Sequence, residues 1–194
     1  MPIYTKYDGI DGDVTEQGHD KWIELGSLQF GVGRAIGGTA SGAAKGREAS
    51  LCNCSEITVT KPADSASQDL MREAMIGAVP GKTVKFEFVT TGQGDSAETY
   101  TKFTLEECMI SGYSLSSGGD RPMESLSLNF TKIQFTAFPQ NPDGTFGTPI
   151  TMDWDVIRNS GSLSVPEPSS WAILAAGMLV VAFRARRMMQ TRAR

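Results

Sequence analysis

Few side chains in this chain of 194 residues are of the types that do chemistry, and their spacing is the first thing to weigh. There is one histidine, His19, set between Gly18 and Asp20, and three cysteines, Cys52, Cys54 and Cys108. That inventory is too small for a His-rich metal centre, a four-cysteine zinc site or a disulfide scaffold. Cys52 and Cys54 stand one residue apart and could be redox-active, but without a second pair they read as plain thiols. Cys108, beside Met109 and Ile110, reads as a strand residue. Asp8, Asp11 and Asp13 carry charge enough for a hard cation, yet lack calcium-loop spacing and read as a solvated acidic turn. Residues 77–83, GAVPGKT, fall one residue short of a phosphate loop and run from helix to strand, the reverse of the Walker order, so they read as a turn. Residues 31–37, GVGRAIG, lack dinucleotide spacing and open no helix. His19 has no nucleophile near it in sequence and reads as a surface side chain. No catalytic, cofactor or metal site emerges, and the chain reads as a non-enzyme.

The elements that would position any site are mostly strands. Val84, Phe86 and Phe88 alternate with polar residues, as do Leu126, Leu128 and Phe130, which gives each segment one wet face. The parity then slips, because Ile133 and Phe135 continue the apolar series on odd numbers. A bulge near Thr131 and Lys132 would keep both sets inward. Residues 22–34 slip in the same way across Gly26 and Ser27. Further strands are expected at residues 3–7, 56–61, 99–106, 109–116 and 148–155, with turns at 91–96, 117–122 and 141–144. One helix is expected, with Ser65 and Gln68 at capping-box spacing, a stripe of Leu70, Met71, Ala74, Met75 and Ala78, and an end at Gly77 and Pro80. Residues 35–50 have no period and read as a long exposed loop. The 21 glycines and 9 prolines fit this turn-rich pattern. The expected fold is mainly β: a small closed barrel of about seven or eight strands, with the helix as a plug over one face.

The net charge of −4 conceals an asymmetry. Arg184, Arg186, Arg187, Arg192 and Arg194 close the chain, and no acid lies beyond Glu167. The remainder is strongly acidic and would repel phosphate backbones, so nucleic acid is excluded as its partner. Three segments follow: a β domain over 1–160, a linker over 161–170 that reads GSLSVPEPSS, and an apolar, Arg-ended segment over 171–194. As a helix, residues 171–183 would cover about 20 Å, short of the roughly 30 Å hydrocarbon layer. Trp171 and snorkelling arginines would extend the span.

Val165, Pro166, Glu167 and Pro168, followed by the apolar run and by Arg184, Arg186 and Arg187, resemble the PEP-CTERM sorting signal of exosortase-processed bacterial proteins. The resemblance implies an exosortase-like processing enzyme as a partner and membrane association through the C-terminal segment before processing. Residues 1–10, MPIYTKYDGI, have neither a basic nor an apolar leader region, which argues against ordinary Sec-dependent export.

The body resembles a second family. YDGIDG at 7–12, GHDKWIEL at 18–25, QFGVGR at 29–34, ISGYSLSSGGDRP at 110–122 and ESLSLNFTKI at 124–133 are similar to the Hcp proteins of type VI secretion. This resemblance implies a β-barrel with one helix, assembled as homo-hexameric rings that stack into a tube expelled by a contractile sheath. Its implied partners are other copies of the chain, the sheath, a tip protein and small effectors held in the lumen. Gln29 corresponds to a position that can face the lumen, and Arg47 and Glu48 fall in a loop near ring-to-ring contacts. The protein is expected to be cytoplasmic before export and secreted or envelope-associated afterwards. The other reading is an exosortase-sorted surface or extracellular ring or adhesive module that has left the contractile machine.

Overall fold

A computed structural model describes residues 1–37, 49–77, 79–91 and 97–164. Residues 1–164 form one compact unit. The expected positions Arg47, Glu48, Val165, Pro166, Glu167, Pro168, Arg184, Arg186 and Arg187, and the apolar C-terminal helix, lie outside the described residues.

The elements in chain order are β1 (Ile3–Tyr7), β2 (Ile23–Leu25), β3 (Ser27–Gln29), β4 (Val32–Gly33), β5 (Asn53–Cys54), β6 (Ile57–Pro62), α1 (Ser67–Ile76), β7 (Lys82–Thr91), β8 (Ala97–Ser116), β9 (Met123–Asn129), β10 (Lys132–Ala137), β11 (Ile150–Asp155) and β12 (Ser160–Ser164). One wall follows the order β12-β11-β10-β8-β7-β1-β2, and a second wall is formed by β3, β6, β9 and the C-terminal part of β8. All the pairings are antiparallel. Among the described residues the fold is mainly β with one helix, as expected.

The hydrogen-bonded sheet does not close on itself. Its edges are β2, β3 and β12, and the first two are joined covalently through Gly26. The Gly26 N–H donates to the Thr60 carbonyl at 2.7 Å, which holds the corner against β6. This is the physical reason for the parity slip between Leu25 and Leu28: the chain leaves β1 and takes up β6 as its partner. The slip at Thr131 has the same origin. In place of a bulge within one long strand, β9 ends, Phe130 stays buried at the corner, and β10 begins on the other wall. The two segments expected at 99–106 and 109–116 are instead one 20-residue strand, β8. Its N-terminal part pairs with β7 and β10, and its C-terminal part pairs with β9. Glu107, at φ 51, marks the change.

The strands β5 and β12 have no counterpart in the expected elements, whereas β4 falls within the expected segment 22–34. Strand β12 also moves the boundary read from composition, because residues 161–164 are paired with β11 where a linker was expected. The segment 35–50 begins and ends as an antiparallel bridge, Ile36 with Ala49, stacked on the β4–β5 pair.

The core joins Tyr7, Ile23, Ile57, Phe86, Leu105 and Leu126 from both walls, with Leu70 of α1 inserted among them. The helix therefore plugs the interior, but by a narrower stripe than its sequence suggests. Ala66 and Leu70 are buried and Ala74 packs partly against them, whereas Met75 is 77% exposed. The expected capping box is absent, since Ala66 is the N-cap and makes no side-chain cap bond, and the turn before the helix is held by other contacts. Asp64 Oδ1 accepts the Ala66 N–H at 3.0 Å and Ser67 Oγ accepts the Asp64 N–H at 2.9 Å, while the Ser65 hydroxyl turns away to Asp13.

Candidate functional site

On the second wall, strand alternation sends Ile57, Val59, Leu126 and Leu128 into the core and the intervening residues outward. The register then aligns the outward residues across four strands. Ser27 stands opposite Thr60, Thr60 opposite Ser125, and Ser125 opposite Ser114. One row further on, Gln29 faces Thr58, Thr58 faces Ser127, and Ser127 faces Gly112. These two rows make an uncharged face of hydroxyls, one amide and one glycine. Ser27 Oγ and Thr60 Oγ1 are 2.6 Å apart, and Ser111 Oγ donates to the Ser127 carbonyl at 3.1 Å. At the margin, Asn129 Nδ2 donates to Glu56 Oε1 at 3.2 Å. Such a face offers hydrogen bonds with little apolar surface and no fixed charge, which suits contact with varied solutes without tight retention.

Behind it lies a charge cluster absent from the sequence reading. Lys61 and Glu124 are fully buried, with Nζ 2.9 Å from Glu124 Oε2 and 2.7 Å from Asp64 Oδ1. Lys61 falls on the same parity as Ile57 and Val59, and Glu124 on that of Leu126 and Leu128. A polar residue on an apolar parity was the signal that could have found both. Burial, with the Glu124 carboxylate adding to it, pushes the Tyr113 phenol up to about 12. Asp64 and Ser67 tie the pair to the start of α1, so the cluster fixes the plug to the wall.

His19 is not at the surface. It is buried between Tyr4 and Trp22, with ring centroids at 4.7 and 5.0 Å, and its Nε2 lies 3.1 Å from Glu87 Oε2. Glu87 also accepts from Thr99 at 2.8 Å and pairs with Lys102 at 3.0 Å. Burial opposes ionisation of this carboxyl, but these donors outweigh it and hold it below its usual range. Tyr4, tilted over the imidazole, and Trp22, packed edge-to-face with it, flank the ring, which is why a loop position became an interior one.

The three aspartates do not converge. Asp11 pairs with Lys6 at 2.6 Å and Lys21 at 3.5 Å, while Asp13 binds Ser65. Among the described residues no group of three or more histidine, cysteine or acidic side chains is placed to hold a metal. Gly77, at φ 75, follows α1, Lys82 and Thr83 open β7, and Gly81 packs on the Glu107 backbone so closely that a Cβ there would lie 2.4 Å from its carbonyl carbon. Cys108 is fully buried in β8, and burial pushes its thiol up to about 12. Cys52 and Cys54 are partly buried and line an apolar cavity of about 550 Å³ with Phe30, Phe103, Phe135 and Trp154. Among the described residues no helix is long and apolar enough to cross a membrane.

Residues 4–136 match the family described as type VI secretion system effector, Hcp, and residues 164–187 match the PEP-CTERM protein-sorting motif. The chain is 30% identical over 110 residues to Protein hcp1 of Pseudomonas aeruginosa, covering 55% of this chain and 67% of that protein. A solved type six secretion system protein is similar at a TM-score of 0.73 and 26% identity, over 83% of this chain and 99% of its own. Hcp1 from Salmonella typhimurium shares the fold at a TM-score of 0.62 and 18% identity, over 83% of this chain and 98% of its own. The match over both walls and the helix leads to one conclusion: the chain belongs to the Hcp family of type VI secretion and carries a PEP-CTERM protein-sorting motif at its C-terminal end.

Proposed function

We propose that this protein is a structural, non-enzymatic ring subunit, six copies of which enclose a lumen, stack into a tube and carry small effectors. The observation that supports this reading is the uncharged hydroxyl face running across β3, β6, β9 and β8. A face of that kind, repeated around a ring, gives a wettable channel with low affinity for what passes through it. In this reading Gln29 faces the lumen, and Arg47 with Glu48 makes ion pairs between stacked rings. Sheath and tip proteins would engage the resulting tube. The C-terminal motif adds an envelope-sorting step, in which the segment beyond Pro168 holds the chain at the membrane until an exosortase-like enzyme removes it.

Electron microscopy of the purified protein at high concentration tests the assembly. Annular particles are expected, with shorter stacks for Arg47→Ala combined with Glu48→Ala, and strictly monomeric protein would refute the proposal. The sorting motif favours a second reading, an exosortase-sorted surface ring that works without a contractile machine. Release of a species ending near Pro168 from cells whose sheath cannot contract would favour it.

A further inference from the structure

Cys52 and Cys54 have no part in the ring reading, and the sequence treats them as plain thiols. The structure brings them together. With Asn53 alone between them, Cys52 immediately before β5 and Cys54 within it both line the same apolar cavity, so their side chains leave the chain on one side. Both are partly exposed, whereas the third thiol, Cys108, is sealed in the core. Each is also tied to the fold through its backbone. Cys54 pairs with Val32 of β4, and the Cys52 carbonyl accepts from Asn159 Nδ2 at 3.2 Å.

From this we infer that Cys52 and Cys54 form a dithiol site that closes to an intramolecular disulfide by exchange with a low-molecular-weight disulfide. One cysteine, as thiolate, attacks the small disulfide, forms a mixed disulfide and expels one small thiolate. The other cysteine then attacks the protein sulfur of that mixed disulfide, forms the Cys52–Cys54 bond and expels the second small thiolate. Two electrons pass from the two protein thiols to the small disulfide, and the two protons end on the two released thiols.

Two residues of extended chain span about 6.6 Å between Cα atoms, at the upper end of the roughly 4.4–6.8 Å that a disulfide bridges. Closure must therefore shorten the chain at Asn53, which pairs with Gly33. A bond formed under that tension is readily reduced, so the site reports the redox state of the compartment the protein occupies. Burial pushes the Cys54 thiol up, with the Cys52 thiol adding to the effect, which makes closure slow rather than instantaneous.

The test uses the full-length native protein incubated with oxidised glutathione, then denatured, alkylated with N-ethylmaleimide and analysed by intact and peptide mass. The expected product has lost two hydrogens within the tryptic peptide 48–72, takes up a single maleimide, on Cys108, and regains the hydrogens with dithiothreitol. Cys52→Ser and Cys54→Ser are each expected to abolish that loss and to retain one glutathione. Persistent glutathione on the unsubstituted protein, disulfide-linked dimers, or three maleimides after prolonged incubation would each overturn the inference. None of these readouts depends on ring formation, so the dithiol site and the proposed function stand or fall separately.

Discussion

Lys61 shows how far a single residue reaches in this molecule. Its ammonium is withdrawn from water and compensated by Glu124 and Asp64, so removing it strands two carboxylates near the core. Lys61→Met is expected to cost about 3–5 kcal/mol in chemical denaturation, whereas Lys61→Met combined with Glu124→Leu recovers much of that loss. A double variant no better than the single one would show that the pair is not what the wall requires. Glu87 makes the second prediction at this scale. Its folded carboxyl is held below its ordinary range, so its contribution is present above the unfolded value and is lost as pH falls through the folded one. The stability of the unsubstituted protein should therefore drop more steeply below about pH 4.5 than that of Glu87→Gln, as read from denaturation midpoints across that range. Both groups were hard to see in sequence for one reason: a charged letter on a strand reads as solvent-facing until its partner's position is known.

At the scale of elements, alternation located the strands well because one face of each is buried and the other is wet. What alternation could not convey was partnership. The parity slips at Gly26 and Thr131 were legible as irregularities, but a bulge and a change of wall leave the same trace in one dimension. The strands β5 and β12 were lost because strands of two to five polar or glycine-containing residues carry almost no period. The helix was visible with too broad a stripe, since Met75 is apolar yet exposed. Leu70 alone reaches deep into the interior, so Leu70→Ala is expected to cost about 2–5 kcal/mol. Met75→Ser should stay within about 0.5 kcal/mol of the parent. Thermal or urea unfolding of the two variants side by side distinguishes this narrow anchor from a helix held along its whole apolar stripe.

For the whole molecule, the family was legible because its longer motifs cover corners and turns that composition alone does not constrain. The hydroxyl rows of the second wall were legible only as alternating serines and threonines, and the register was needed to align them across four strands. Where that face points in an assembly is open to a direct measurement. In a background with Cys52→Ser and Cys54→Ser, a Gln29→Cys protein in rings is expected to react with a small maleimide but only slowly with a bulky polyethylene glycol maleimide. Equal rates would place Gln29 on the outside. The strand β8 has a mechanical meaning as well. Its backbone belongs to both walls, and antiparallel ladders set their bonds across the strand direction. A push along that axis is taken up as shear by many bonds at once on both flanks, where a sideways pull would peel them one after another.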